Sequence, residues 1–280
     1  MAGQKKRNGG SGMRVEVITM MYNEEFLAPF FMGHYSWADK VKVFIDSDTT
    51  DNTELIVCSY PNSEVYKFTF PDMMDDLLKV NLLNEAYRAS KADWVILVDA
   101  DEFVFISPTE RNLADMLAWE KTKGNDVIVS RLYQIYRHAT DKDLNVFQPA
   151  VPQRKHGIAN EGIVNGIDLS DYNKPIVVQS GLDIKWTPGN HYIMEDGLPF
   201  RYHLPNTVTQ GGIKFSNRTF AGAHWAMADP CFCIERRCKG RRDRQSKFNL
   251  ENGMTVQHHH ITEEQVKAEC DAHLNDPVVL

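Results

Sequence analysis

The chain has 280 residues, 42% of them hydrophobic and 25% charged, an ordinary make-up for a globular protein of one large domain or two packed halves. A net charge of −7 argues against general attraction to nucleic acid or an anionic membrane, and no apolar run approaches the roughly 20 residues that span a bilayer. Five cysteines, an odd and small number, argue against a disulfide framework and favour a reducing compartment, so a cytoplasmic location is expected.

Residues 1–13 read as a flexible tail, with Lys5, Lys6 and Arg7 but no apolar segment of a signal peptide. Val15 to Thr19 reads as a first strand, running into Tyr22-Asn23-Glu24-Glu25. Phe26, Leu27, Phe30, Phe31 and His34 then recur at the spacing of one helix face. Pro29 is tolerated only in a first turn, which places the helix start near Glu25. Val41 to Ile45 is a second strand, closing on the polar loop Asp46 to Thr53, whose residue types cap helices; Glu54 to Ser59 is the helix it caps. Glu64 to Phe68 is a third strand. Asp75 to Ser90 is an amphipathic helix with Leu78, Leu82, Leu83, Ala86 and Ala89 on its buried side. Trp94 to Val98 is an unbroken apolar run of the kind a strand buried on both faces shows.

This alternation of strand and helix predicts an α/β fold with a mostly parallel central sheet flanked by helices. The fourth strand ends in Asp99, Ala100, Asp101 and Glu102. Three carboxylates so close repel one another unless something positive lies between them. The carboxyl edge of such a sheet is also where ligands bind. A hard divalent cation, Mg²⁺ or Mn²⁺, that also holds phosphate oxygens answers both points. With the usual crossover hand, the loops after the first two strands meet Asp99 and Asp101 on that edge.

The second half is less regular. Asn112 to Trp119 reads as a helix and Asp126 to Tyr133 as a strand. Gln134 to Pro188 reads as loop-rich, and Pro230 to Gly240 and Thr262 to His273 as helical. The texture changes just after Phe105, dividing residues 14–105 from residues 106–280, two halves of one domain.

Three stretches in order resemble the family 2 glycosyltransferases and their relatives of the GT-A fold. They are Met20 to Glu25, Phe44 to Thr53, and Val98-Asp99-Ala100-Asp101-Glu102-Phe103, the last in the Asp-Glu-Phe form of one branch. The resemblance covers about a third of the chain and implies a Rossmann-like half, residues 14–105, that binds a nucleotide-diphosphate sugar. The loop-rich half, residues 106–280, would shape the pocket for a glycan or other acceptor. Carried over by position, Thr19, Tyr22, Asn23 and Glu25 would border the nucleoside and Asp46 would contact base or ribose. Asn84 falls where the family often has an Asn, though the neighbouring Arg is Leu83 here. Asp101 would be the principal ligand of Mn²⁺ or Mg²⁺, with Asp99 on ribose or metal. Looser matches around Pro188-Gly189-Asn190-His191 and His224-Trp225 nominate His191 as a third ligand, with His224 second. Inverting transfer also needs a carboxylate base. Glu195-Asp196 lies at the family's distance from the metal triplet, so Asp196 is the first choice, with Glu195, then Glu161, Asp168, Asp171 and Asp183 as competitors.

The basic run Arg236, Arg237, Lys239, Arg241, Arg242, Arg244 and Lys247 would supply one or two phosphate contacts, Arg237 foremost. The acidic balance argues against nucleic acid. Cys231, Cys233 and Cys238 lack the paired spacings of a structural zinc site, and His258-His259-His260 is no terminal tag. Nucleotidyl transfer is the alternative reaction, disfavoured because no Gly-rich basic loop follows the first strand. A zinc- or nucleic-acid-binding module is the non-enzymatic alternative.

Overall fold

Apolar residues alternate between two faces along the first and fourth strands, and that alternation sets the layers. A computed structural model describes residues 12–71, 73–105, 113–159, 163–164, 167–168, 173–195, 198–199, 209–210, 212–241, 244–253 and 261–280. The elements of the first half are β1 (Val15–Met21), α1 (Ala28–His34), β2 (Lys40–Asp46), α2 (Thr53–Cys58), β3 (Ser63–Phe68), α3 (Asp76–Ala89), β4 (Trp94–Leu97) and β5 (Glu102–Phe105). Then come α4 (Leu113–Thr122), β6 (Val127–Tyr136), α5 (Ala150–Gln153), β7 (His156–Ala159), β8 (Ile163–Val164), β9 (Ile167–Asp168) and β10 (Asn173–Gln179). The remainder comprises β11 (Lys185–Trp186), β12 (Ile193–Glu195), β13 (Leu198–Pro199), β14 (Thr209–Gln210), β15 (Ile213–Met227), α6 (Pro230–Ile234), α7 (Lys247–Glu251) and α8 (Glu263–Ala272).

The protein is α/β, with a mixed, mostly parallel central sheet ordered β14-β15-β6-β10-β4-β1-β2-β3 and flanked by helices. β1, β2, β3 and β4 run parallel, as expected, whereas β10 is antiparallel to both β4 and β6. Val17, Trp94, Ile96 and Val98 face one layer with Phe31, Tyr35 and Val57 of the α1–α2 side; Ile18, Val95 and Leu97 face the other with Val80, Leu83 and Tyr87 of α3. Among the described residues no helix is long and apolar enough to cross a membrane.

Three expectations shift. α1 begins at Ala28 rather than near Glu25, with Pro29 in its first turn as required. The buried face of α3 runs through Val80, Leu83, Asn84, Ala86 and Tyr87, while Leu78 is 44% exposed. The face turns because Asn84 and Tyr87 hold the backbone of Trp186, Gln179 and Leu182. The largest change is in the loop-rich region: β10 lies there, in the middle of the sheet. Pro175 argues against a central strand, and the structure accommodates it at a register shift between Lys174 and Val177. β6, β10 and β15 thus extend the sheet that the first half begins.

One packing contact predicts acid sensitivity. The half-buried His34 donates from Nε2 to the Val104 carbonyl at 2.8 Å and meets Phe103 edge-on. Burial pushes its pKa down from 6.5 to about 4, against the pull of that hydrogen bond. A histidine kept neutral by the fold contributes fully above pH 6.5 and loses that contribution as pH falls toward 4. Allowing for partial exposure, the loss is about 2 kcal/mol. Urea midpoints at pH 7 and pH 4.5 should show it, and His34→Gln should flatten that part of the slope. An unchanged slope in the variant would refute the assignment.

Candidate active site

The carboxyl ends of β1, β2 and β4 open onto a cleft of about 720 Å³. Its walls are built by the turn after β1, the end of β2, the start of the turn after β4, one side of α3, and a C-terminal segment. The first two loops are fastened together. Asn23, with φ of 48°, turns the chain in the left-handed region that Asn tolerates better than most residues. Its Oδ1 accepts from Thr50 N at 2.8 Å. Glu24 N donates to Thr53 Oγ1 at 2.8 Å, Glu25 N to Asp51 Oδ2 at 2.9 Å, and Asn52 N to Glu25 Oε2 at 2.9 Å. Asn23 and Glu25 therefore line the cleft while their polar atoms hold the neighbouring loop.

At one end of the cleft Asp46, 1% exposed, accepts from an Arg244 amino group at 2.7 Å. The Arg244 guanidinium lies over the Tyr22 ring, 3.4 Å from its centroid. At the other end Lys79 Nζ reaches Asp99 Oδ1 at 2.7 Å, and Lys174 Nζ lies 2.5 Å from Glu102 Oε1 and 3.9 Å from Asp99 Oδ2. Burial works against ionisation of Asp99, but Lys79 and Lys174 outweigh it and hold its carboxyl well below the usual carboxylate range. Asp101, beneath the cleft, pairs with Arg236, which also pairs with Glu24. The lining also includes an apolar pair, Phe26 stacked on Phe232 with ring centroids 4.4 Å apart.

The structure thus brings Tyr22, Asn23, Glu25, Asp46 and Asp99 together along one cleft, with Asp101 next to its Arg236. Others lie elsewhere. Thr19 is fully buried in β1. Both ends of the Asn84 amide hold Trp186, at 3.1 and 2.8 Å. His191 ends the turn Pro188–Asn190, its ring beside Gly189, and is not among the residues lining the cleft. The histidine beside Asp101 is His224, with Nε2 3.6 Å from Oδ2 and Nδ1 held by Gln134 Oε1 at 2.7 Å. Arg237 points away to Glu269 at 3.3 Å and Met227, and of these two neighbours it is Arg236 that lines the cleft. Phe232, Arg236 and Lys239 all line the cleft, but Arg236 and Lys239 stand on a π-helical turn, so ordinary helix-face spacing does not separate Arg236 from Arg237. Glu24, Lys79 and Lys174 likewise carry no local signal of their place.

Glu161, Asp171, Asp196, Arg242 and His258 to His260 lie outside the described residues; Glu195 and Asp168 are described only as backbone in β12 and β9. Cys233, Cys238 and Cys270 are buried free thiols, packed with Met227 and Val266. Among the described residues no group of three or more His, Cys, Asp or Glu side chains is arranged to hold a metal ion.

No protein-family model matches the sequence, and no curated protein matches it. Among solved structures, the chain is similar to S. aureus TarS, with 15% identity, a TM-score of 0.46, and coverage of 93% of this chain and 43% of that one. A TarS 1–349 complex with UDP-GlcNAc gives 15% identity, a TM-score of 0.45, and coverage of 92% and 71%. Glucosyl-3-phosphoglycerate synthase from Mycobacterium tuberculosis, in complex with Mn²⁺, UDP and glucosyl-3-phosphoglycerate, gives 16%, 0.30, 46% and 50%. This chain therefore spans less than half of the longer TarS chain and half of the synthase.

Proposed function

We propose that the chain is a glycosyltransferase, moving a sugar from a nucleoside-diphosphate donor to a hydroxyl of a glycan or other acceptor. The observation that supports this most is the convergence of three parallel strand ends on one cleft. Asp46 and Tyr22 stand at one end, and the cations Lys79, Arg236 and Lys239 line the rest with Asp99. Open α/β sheets bind ligands at that edge. A buried carboxylate beside an aromatic ring suits a nucleoside, and clustered Lys and Arg suit a diphosphate.

Transfer with inversion forms a bond from the acceptor oxygen to the anomeric carbon as the bond from that carbon to the diphosphate breaks. The acceptor proton passes to a carboxylate, for which we propose Asp196, with Glu195 and Glu161 as the competing positions. Cations facing the diphosphate stabilise the charge that develops on it. The divalent cation implied by the Asp-x-Asp resemblance, Mn²⁺ or Mg²⁺, does not fit Asp99, Asp101 and His191 as they stand. Asp99 holds Lys79, Asp101 holds Arg236, and His191 is not a cleft residue.

A panel of nucleotide sugars scored by thermal shift and by donor hydrolysis tests the reading. One donor should raise the melting temperature, since a ligand that binds only the folded state stabilises by occupancy. The product should be a nucleoside diphosphate. Release of pyrophosphate instead would make the protein a nucleotidyltransferase and overturn the proposal.

A further inference from the structure

After α6 the chain makes a π-helical turn over Glu235–Arg241, a wide geometry that concentrates at functional sites. This turn carries Arg236 into the cleft while Arg237 faces Glu269. Arg236 donates from Nε and from one amino group to Glu24 Oε1, at 2.9 and 2.7 Å, and from its other amino group to Asp101 Oδ2. The side chains of Arg236, Glu24 and Asp101 are only 8, 8 and 2% exposed. His224 Nε2 approaches the same Asp101 oxygen to 3.6 Å. A guanidinium thus bridges the Asn-Glu-Glu turn and the Asp-x-Asp turn.

We infer that Arg236 takes, at Glu24 and Asp101, the charge-neutralising place a divalent cation would otherwise hold, so that protein cations face the donor's diphosphate. The inference rests on the reading of the cleft as a diphosphate site. A hard divalent ion needs carboxylate oxygens at roughly 2.0–2.6 Å, depending on its size, in a defined geometry. A guanidinium on Asp101 Oδ2 puts positive charge where the ion would sit, so ion and arginine compete for that oxygen. Arginine keeps its charge at every working pH, and its planar fork matches two carboxylates better than a lysine would. Withdrawing it would leave Glu24 and Asp101 as buried acids that must find another cation. Lys79, Lys239 and Arg244 also line the cleft, paired with Asp99, Glu235 and Asp46, and on this inference turn with Arg236 to phosphate oxygens when donor binds.

The test uses the chain freed of divalent ions with EDTA, then titrated with Mn²⁺ while free Mn²⁺ is read by electron paramagnetic resonance. Wild type should bind Mn²⁺ weakly. Arg236→Gln should bind it stoichiometrically and on the order of tenfold tighter, and Arg236→Lys, which keeps the charge but not the fork, should fall between the two. Adding Asp101→Asn to Arg236→Gln should remove the gained site. Thermal melting checks that each variant is folded, and Arg236→Met replaces Arg236→Gln if the latter is not. Wild type binding Mn²⁺ as tightly as Arg236→Gln, or no gain in that variant, would overturn the inference. Calorimetry with uridine diphosphate in EDTA reads the cleft separately. Binding should persist in wild type and weaken in Arg236→Gln. No binding to any of these proteins, with the Mn²⁺ result intact, would count against the nucleotide reading while leaving the competition for Asp101 standing.

Discussion

Replacing Lys174 with Met should destabilise the fold by about 3–5 kcal/mol, the usual cost of removing one partner from a buried ion pair. Its ammonium is held 2.5 Å from Glu102, whose side chain has no exposed surface. Burial pulls the Lys174 pKa down, but Glu102 and Asp99 outweigh it and raise it. In wild type Lys174 therefore contributes fully below the ordinary lysine pKa and loses its contribution as pH rises through the raised value. Burial raises Glu102 above the usual carboxylate range even beside Lys174. Without the lysine that rise grows, so the variant's stability is full below about pH 4 and falls as pH rises. Urea denaturation should therefore show a larger deficit at pH 8 than at pH 5. Adding Glu102→Leu should recover much of the loss, because a buried pair exchanged whole for apolar groups is often neutral. A single variant within 1 kcal/mol of wild type at both pH values would contradict this account of the pair (about the size of an exposed one).

The largest effect on activity should come from the base. Of Asp196→Asn, Glu195→Gln and Glu161→Gln, one should lower kcat by about 10²–10⁴-fold, the span of general-base contributions, and the proposal assigns that loss to Asp196. Donor binding, followed by calorimetry with the best nucleotide sugar, should be unchanged in that variant, since the base acts on the acceptor hydroxyl. A loss concentrated in Glu195→Gln or Glu161→Gln would move the assignment. Equal, small losses in all three would remove this region from the chemistry.

Much of the donor-side architecture was legible because it depends on short-range rules. Trp94 to Val98 reads as a strand since both its faces meet apolar layers, and Asp75 and Thr262 announce helix starts because their side chains accept from the next turn's N–H groups. The convergence of Tyr22, Asp46 and Asp99 followed from parallel strands joined by right-handed crossovers. β10 was not legible. Asn173-Lys174-Pro175 has the marks of a loop; the lysine is explained only by its pairing with Glu102, 72 residues away, and the proline by the register shift between Lys174 and Val177. Nor could the sequence separate Arg236 from Arg237 without the register of that π-helical turn.

What the residues determined alone is the α/β alternation, the caps, and an acidic strand end that demands positive charge. Which cation answers that demand was decided only in three dimensions. Arg236 stands 212 residues from Glu24 and 135 from Asp101, and Lys79 and Lys174 reach Asp99 from elements on either side of it in the sequence. Periodicity and capping are properties of a few consecutive residues. The partners of a buried charge are chosen by strand order and helix packing, which no local pattern encodes.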